Sequence, residues 1–238
     1  MTSTDRQYRL KLHPLVIDRF RSYACIVVYA RNLNNHVRDP KATARLQDAV
    51  NRARAQRELH PYIAGWRDIY RQRGANPKRY LCSVDALTTR AAKDGVPSVN
   101  SVVDIYNAVS LDYTLCIGGE DWDQLHGDLE LRFASGDEPF DTRRNGEVVI
   151  DHPDPGEVVW CDSSGVTCRR WNWRQCVRTS ISETTRNAYF VFDVLPPHTI
   201  AHATRAANDL ISGMTEFSPD LSSSIEVLPP TRTFHYSA

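Results

Sequence analysis

Polar residues interrupt an otherwise apolar helical pattern between residues 97 and 121, which read PSVNSVVDIYNAVSLDYTLCIGGED. At 100° per residue, Asn100, Asp104 and Asn107 fall within about 60° of one another, while valine, isoleucine, alanine and tyrosine cover most of the circumference. A buried amide or carboxylate without a partner costs about 1–3 kcal/mol, so each must bond neighbouring backbone or face a wet pocket. The pattern predicts a mostly buried helix with one polar stripe and leaves both roles open.

The residues that follow this stripe favour a pocket. Ser110 lies beside the stripe at the end of the helix, and Gly118-Gly119 follow a few residues later. Glycine has no Cβ, so the backbone amides of such a segment can approach a ligand closely. We therefore expect polar side chains and bare backbone to converge here.

The chain before residue 97 carries the patterns of one strand and three helices. The apolar, β-branched run YACIVVYA at residues 23 to 30 is typical of a buried strand. Good helix formers with apolar residues on one face fill residues 42 to 59, and a second helix follows from residue 61 to 73. Ser83 is in position to cap a third helix. The arginines on the outer face of the first helix favour a solvated surface over an RNA-binding face.

Beyond residue 121 the period changes from 3.6 to 2, which predicts a sheet. Strands are expected at residues 129–133, 148–150, 157–161, 166–171 and 188–194, with a hairpin loop at residues 162–165. A helix over residues 199–212 then packs back, and the tail from residue 226 is expected to be extended. The fold class is α+β, with helices first and a largely antiparallel sheet after them.

The composition of the chain limits the kinds of binding partner that we expect. The 238 residues are 41% hydrophobic and carry a formal net charge of zero, so a nucleic acid must be met by a local patch and neither DNA nor a membrane is an expected partner. Six cysteines without a C-x-x-C pair and the lack of a signal-like apolar run predict a reduced, cytoplasmic protein. No apolar stretch approaches the roughly 20 residues that a bilayer span requires.

Residues 168 to 178, CRRWNWRQCVR, form a second polar constellation. Its cations and aromatic residues are Arg169, Arg170, Arg174 and Arg178 with Trp171 and Trp173. Indole faces between guanidinium groups suit stacking on unpaired bases and pairing with phosphates. The alternative, slightly favoured from this segment alone, is that one tryptophan is core and the arginines pair with acids such as Asp162 and Glu183.

Other chemistries have little support. The histidines form no H-x-x-x-H or H-E-x-x-H pair, and no nucleophile elbow, phosphate loop or dinucleotide fingerprint is present, so neither a metal nor a cofactor is expected. Cys116 and Cys168 could serve as nucleophiles, but a lone cysteine in apolar company is usually an inert core thiol.

The run from Pro97 resembles the B3/B4 editing domain of the phenylalanyl-tRNA synthetase β subunit, whose typical motif is P-I-N-x-V-V-D-x-T-N-Y-V-x-L-E-x-G-x-P-x-H-x-F-D. The matching positions here are Pro97, Asn100, Val103, Asp104, Asn107, Leu111 and Asp121. The resemblance covers roughly residues 83 to 195. The W-N-W-R at residues 171–174 and the N-P-K at residues 76–78 resemble freestanding proteins of this family more closely.

The resemblance implies a B3/B4-like α+β fold with an extension at residues 1–82, a core at 83–195 and a C-terminal helix and tail at 196–238, in one compact unit. It implies hydrolysis, in trans, of the ester at the aminoacylated acceptor end of a mischarged tRNA through a positioned water. Two other functions stay open: a non-catalytic tRNA or amino-acid binder, and a hydrolase of other aminoacyl or peptidyl esters.

The resemblance also assigns roles to residues. Asn100, Asp104 and Asn107 would organise the catalytic pocket and its water. The substrate-binding residues would be Ser110, Gly118, Gly119, Trp171, Asn172, Trp173 and Val191. Arg169, Arg170 and Arg174 would hold the tRNA. The family's histidine falls at Gly118 and its tyrosine-reading glutamate at Val191, so the pocket has been rebuilt and we expect small aliphatic or β-branched amino acids as substrates.

Overall fold

The computed structural model describes residues 9–35, 38–56 and 58–229. The helices of this part are α1 Pro14–Arg19, α2 Pro40–Ala55, α3 Pro61–Gln72, α4 Ser83–Lys93, α5 Ser101–Tyr113 and α6 Ile200–Thr215. The strands are β1 Leu10–Leu12, β2 Ala24–Arg31, β3 Ile117–Asp121, β4 Leu129–Phe133, β5 Phe140–Arg144, β6 Glu147–Asp151, β7 Val158–Asp162, β8 Gly165–Arg169, β9 Arg174–Gln175, β10 Ala188–Val194 and β11 Ser222–Leu228. A short 3₁₀ turn, Trp122–Gln124, follows β3.

The strands form two larger sheets and one hairpin. One sheet has the order β11-β2-β10-β3 and is antiparallel throughout. The other has the order β1-β4-β7-β8-β9, in which β1 runs parallel to β4 and the remaining pairs are antiparallel. Strands β5 and β6 pair with each other. The predicted α+β class with largely antiparallel sheets is confirmed.

Strand β10 occupies the interior of the four-stranded sheet. All seven of its residues, AYFVFDV, are buried, as expected for a strand covered on both faces. It pairs along its whole length with β2, which precedes helices α2 to α6, and β11 pairs with the other edge of β2. Helix α6 packs against β2 and β10, while α5 packs against α2 and α6. Distant parts of the chain thus share one sheet and one core.

Several elements match the sequence patterns, and the differences have local causes. Strand β10 has the predicted bounds, and the β7–β8 hairpin turns at the predicted loop. Helix α2 ends at Ala55, earlier than predicted. The prediction that Ser83 caps α4 is wrong, because Cys82 holds the cap position without a side-chain hydrogen bond and Ser83 is the first helical residue.

Some predicted features lie outside the described residues. These are the polar start of the chain up to residue 8, Arg57 at the end of the predicted basic helix, and the tail from residue 230. Within the described part, no helix combines the length and the apolar character that crossing a membrane would require.

Candidate functional site

A cavity of about 330 Å³ lies between the two larger sheets. Helix α4, helix α5 and the turn between β8 and β9 contribute its walls, and β3 and β10 contribute its floor. In the β3–β10 register, Gly118 pairs with Val191 and Glu120 pairs with Tyr189. Alternate residues of a strand share a face, so these four side-chain positions and Asp193 point to the same side. The register therefore sets two carboxyl groups, Glu120 and Asp193, at the cavity.

Asp193 is held by two hydrogen bonds. It is buried, the Tyr23 hydroxyl donates to its Oδ1 at 2.6 Å, and the Asn172 amide Nδ2 donates to its Oδ2 at 2.8 Å. Burial raises the pKa of Asp193 to about 6, and the two hydrogen bonds oppose that rise. A carboxyl group with this pKa changes protonation close to neutral pH.

Glu120 is buried nearby on β3. The Thr179 hydroxyl donates to its Oε2 at 2.6 Å. Burial raises the pKa of Glu120, and the Thr179 hydrogen bond is the largest effect opposing that rise. Neither carboxyl was among the site residues predicted from the sequence. The available signal was an acidic residue inside a strongly apolar strand, as in the run AYFVFDV.

The turn between β8 and β9 explains the W-N-W-R segment. Arg170 and Trp171 have φ angles of 47° and 66°, which cost a non-glycine residue about 1–2 kcal/mol each. Trp171 is 2% exposed, and its ring makes edge contacts with Phe20 and Tyr23 at centroid distances of 4.5 and 5.4 Å. Trp171 therefore anchors the turn in the core while its edge borders the cavity.

Asn172 links the turn to the floor of the cavity. Its Oδ1 accepts a hydrogen bond from the Tyr70 hydroxyl at 2.8 Å, and its Nδ2 donates to Asp193. The strained turn thus sets the orientation of the Asp193 carboxyl. Strain of this kind persists where surrounding contacts fix it and is often found at functional sites.

Arg169 and Arg170 are not placed to bind tRNA, contrary to expectation. Arg169 makes a two-pronged ion pair with Glu157 at 2.9 and 2.7 Å, and both side chains are buried. Arg170 pairs with Asp154 at 2.6 Å and lies over the Tyr80 ring. These guanidinium groups are committed to internal acids, as the alternative interpretation of the segment proposed. That interpretation named Asp162 and Glu183 as the acids. Only Arg178 pairs with one of these two, since it contacts Asp162 at 2.9 Å.

Arg174 differs from its neighbours. It is exposed, lines the cavity, and makes no ion pair with any residue that the structure describes. Its guanidinium lies 4.6 Å from the centroid of Trp173, whose half-buried ring contacts Tyr80 edge-on at 4.8 Å. Arg90 of α4 is likewise exposed at the cavity and unpaired among the described residues. Among the described residues, the mouth of the cavity therefore carries two cations without an ion-pair partner.

The three residues of the predicted polar stripe do not lie in one site. Asn107 lines the cavity, but Asn100 and Asp104 lie outside it. Asn100 precedes the helix in an extended conformation, where its Oδ1 accepts from the Val103 amide at 3.0 Å as the N-cap. Asp104 is fully buried. Its carboxylate accepts hydrogen bonds from the Ser98 hydroxyl at 2.5 Å and from the backbone amide of Val99 at 2.9 Å. Both residues therefore tie down the start of α5.

Ser110 and the glycines also depart from expectation. Ser110 donates to the carbonyl of Leu115 at 2.7 Å and lies outside the cavity. Gly118 and Gly119 belong to β3 instead of an open loop. A Cβ on Gly119 would lie 2.6 Å from the Phe190 ring, so this glycine serves close packing. Only Gly118 borders the cavity, where a Cβ would meet just the amide end of Gln175 at 3.3 Å.

Other candidate chemistries gain nothing from the structure. The six cysteines are free and buried, and burial raises the pKa of Cys168 well above its ordinary range. Among residues 9–35, 38–56 and 58–229, no group of three or more His, Cys, Asp or Glu side chains is placed to hold a metal ion. On the outer face of α2, Arg45 and Arg52 pair with Asp209 and Asp112.

The fold and cavity define an α+β protein with a cavity, acidic at its floor, between two largely antiparallel sheets. The chain belongs to the B3/4 domain family, whose model matches residues 65–214. This membership confirms the resemblance seen in the sequence. No curated protein matches the chain.

A solved structure similar to this chain is an N-terminal fragment of the phenylalanyl-tRNA synthetase β subunit from Pyrococcus horikoshii. The two share 10% sequence identity with a TM-score of 0.47. The match covers 94% of this chain and 52% of that one, so the chain spans about half the length of the fragment.

Proposed function

We propose that this chain is a trans-editing aminoacyl-tRNA deacylase, which hydrolyses the ester between an amino acid and the terminal ribose of a mischarged tRNA. Membership of the B3/4 family supports an editing-related role. The observation that carries the proposal is the polarity of the cavity, with carboxyl and amide groups at its floor and free arginines at its mouth. The polarity of an aminoacylated acceptor end matches that of the cavity. When its ester lies at the polar floor, its phosphates lie at the cationic mouth.

The mouth supplies the contacts that an RNA end requires. Arg174 and Arg90 are free to pair with phosphates, and each neutralised phosphate adds a salt-dependent contribution to affinity. The half-buried Trp173 ring offers a stacking surface for the terminal base, and base stacking on an aromatic ring contributes about 1–3 kcal/mol. This site replaces the larger arginine cluster expected from the sequence.

The floor supplies a group for the chemistry. Asp193, with a pKa of about 6, is ionised at neutral pH and can accept a proton from a water molecule. The water oxygen then bonds the ester carbonyl carbon, the carbon–oxygen bond to the ribose breaks, and the ribose oxygen leaves with that proton. The Asn107 amide can hold the water or the carbonyl. We expect kcat/KM to rise with pH through about 6 and to level off above 7.

A deacylation screen tests this function. Purified protein is incubated with tRNAs charged separately with valine, isoleucine, threonine, alanine, phenylalanine and tyrosine, and the released amino acid is measured against buffer alone. We expect accelerated release from at least one of them, and we expect it to survive EDTA because a positioned water suffices for ester hydrolysis. Loss of activity in EDTA with recovery in zinc would contradict the metal-free mechanism.

One observation favours a second function, that of a non-catalytic binder. Both oxygens of Asp193 already accept protein hydrogen bonds, which is also the arrangement of a structural carboxylate. A binder would show saturable affinity for aminoacyl-tRNA with no accelerated release of any amino acid in the same screen.

A further inference from the structure

The charges that line the cavity are separated by depth. The acidic side chains, Glu120 and Asp193, are 3% and 2% exposed. Among the described lining residues the only cationic side chains are Arg90 and Arg174, and both are exposed at the mouth. Neither buried carboxyl forms an ion pair with a described cation, because Arg178, whose charge lowers the pKa of Glu120, is itself paired with Asp162. Buried negative charge of this kind is costly unless a ligand supplies the countercharge.

The surroundings of Glu120 contain unused hydrogen-bonding groups. The hydroxyls of Tyr189 and Thr167 lie close enough to Glu120 to oppose the rise in its pKa. Both residues are buried, at 2% and 0% exposure, and neither hydroxyl makes a hydrogen bond of ordinary geometry. Their interactions with Glu120 and with each other fall short of that geometry. Buried polar groups are nearly always satisfied, so these hydroxyls have capacity left for a further partner.

The chemistry of that partner follows from the groups present. The Glu120 carboxylate and the Tyr189 hydroxyl line the cavity, and their three oxygens can accept the three N–H bonds of a primary ammonium. A charged donor also compensates the carboxylate, which a neutral hydroxyl of an amino-acid side chain does not. Every aminoacyl ester with a free amino group carries such an ammonium next to its carbonyl carbon.

We propose that Glu120, with the hydroxyl of Tyr189, binds the α-ammonium of the bound aminoacyl ester. The site then accepts esters with a free α-amino group and rejects N-blocked ones, including peptidyl and N-acyl esters. This inference rests on the proposed function and narrows its substrate class. The acidic floor and basic mouth orient the substrate, with the ammonium inside and the phosphates outside.

The decisive test measures binding with probes that cannot be hydrolysed. An acceptor-stem RNA with a 3′-amino terminal ribose carries the amino acid through an amide bond, either with a free α-amino group or after N-acetylation. The two probes differ only in the ammonium. We expect the free-amino probe to bind at least 30-fold more tightly at pH 7. Equal affinities, or binding of neither probe, would overturn the proposal.

Variants locate the contact. Glu120→Gln is isosteric and keeps an oxygen for Thr179, and we expect it to reduce the preference for the free-amino probe to within about threefold. Tyr189→Phe should reduce the preference several-fold. Asp68→Asn, which makes the same acid-to-amide change at an exposed position of α3, should leave it unchanged. A full preference in a folded Glu120→Gln protein would contradict the assignment.

Hydrolysis separates this inference from the proposed function. One tRNA is charged with the best substrate of the deacylation screen, and half of it is N-acetylated. Cleavage of the free-amino form at least 100-fold faster than the acetylated form supports both claims. Similar cleavage of both forms would leave the deacylase function standing and overturn the ammonium site. Preserved binding preference without any cleavage would overturn the deacylase function alone.

Discussion

Asp193 is a carboxyl group whose burial has a measurable consequence for stability. Because its pKa is raised to about 6 from an ordinary value of 3.8, the folded protein holds this proton more tightly than the unfolded chain. The resulting stabilisation is fully present below about pH 4 and is lost as pH rises through about 6. The change corresponds to about 3 kcal/mol for one group.

We predict that Asp193→Asn removes this pH dependence. The free energy of unfolding of the wild type, minus that of the variant, should fall by about 2.4 kcal/mol between pH 4 and pH 7. Denaturant unfolding at several pH values measures it. Burial lowers the pKa of His198 to about 4, which has the opposite effect over the same range, but both proteins share it and it cancels. Parallel stability profiles would contradict the raised pKa.

The arginines of the W-N-W-R region should separate into structural and binding residues. Arg174→Ala should weaken tRNA binding several-fold and lower the salt dependence of log K by about one, with no loss of stability. Arg169→Ala removes the two-pronged partner of the buried Glu157, which keeps only Arg170 at 3.3 Å, and should cost about 3 kcal/mol of stability. Arg205→Ala, at an exposed position of α6, is the control for lost charge. Unchanged tRNA affinity in Arg174→Ala would contradict the assignment of RNA binding to the cavity mouth.

Val191 makes a prediction about substrate choice. It lines the cavity opposite Gly118, so an apolar wall stands where the family's tyrosine-reading glutamate is expected. An apolar wall discriminates by only about 10–200-fold per methylene, whereas a site that bonds a hydroxyl discriminates by about 10⁴-fold. Rates on different aminoacyl-tRNAs should therefore favour small aliphatic or β-branched groups modestly. Tyrosyl-tRNA cleared fastest by a wide margin would contradict this.

At the level of elements, the start of α5 combines a cap and a buried acid. Asp104→Ala leaves the Ser98 hydroxyl and a backbone amide without their acceptor, so we predict a loss of about 2–3 kcal/mol in stability. Asp112→Ala, near the other end of the same helix, removes only an ion pair with Arg52 and should cost less than about 1 kcal/mol. Thermal unfolding measures both. A fully stable Asp104→Ala protein with reduced activity would return Asp104 to the site.

The elements that could be predicted are those with a long local pattern. Strand β10 and helices α2, α3 and α6 carry enough apolar periodicity to be recognised without their partners. Strands β1 and β9 have three and two residues, and such short strands are specified by the neighbours with which they pair. The prediction that Asn100 belongs to the polar stripe of the helix is wrong, because Asn100 is the cap residue and lies before the helix.

The candidate site was harder to predict than the elements. The sequence pointed to Asn107, Gly118, Trp173, Arg174 and Val191, all of which line the cavity. It missed Glu120 and Asp193, since their convergence depends on the register of β3 against β10, which no local pattern contains. The internal pairing of Arg169 and Arg170 likewise depends on a distant loop.

On the scale of the whole molecule, the cavity joins elements from separate parts of the chain. The β3–β10 floor, the β8–β9 turn and helix α4 must all be in place before the acidic floor and the basic mouth exist. We therefore expect that a side chain filling the cavity abolishes function even when the fold is intact. Gly118 is the position for this change, because only the flexible end of Gln175 lies near its missing Cβ.

The most direct test of the deacylase function is turnover with and without an open cavity. A small amount of protein is added to an excess of the aminoacyl-tRNA selected by the screen, and amino acid released per protein molecule is followed. The wild type and Val148→Phe, which adds a phenyl group at an exposed position of β6, should each release many equivalents. Gly118→Phe should retain its melting temperature and release no more than buffer does. Full turnover by a folded Gly118→Phe protein, or none by the wild type on any aminoacyl-tRNA, would contradict the account.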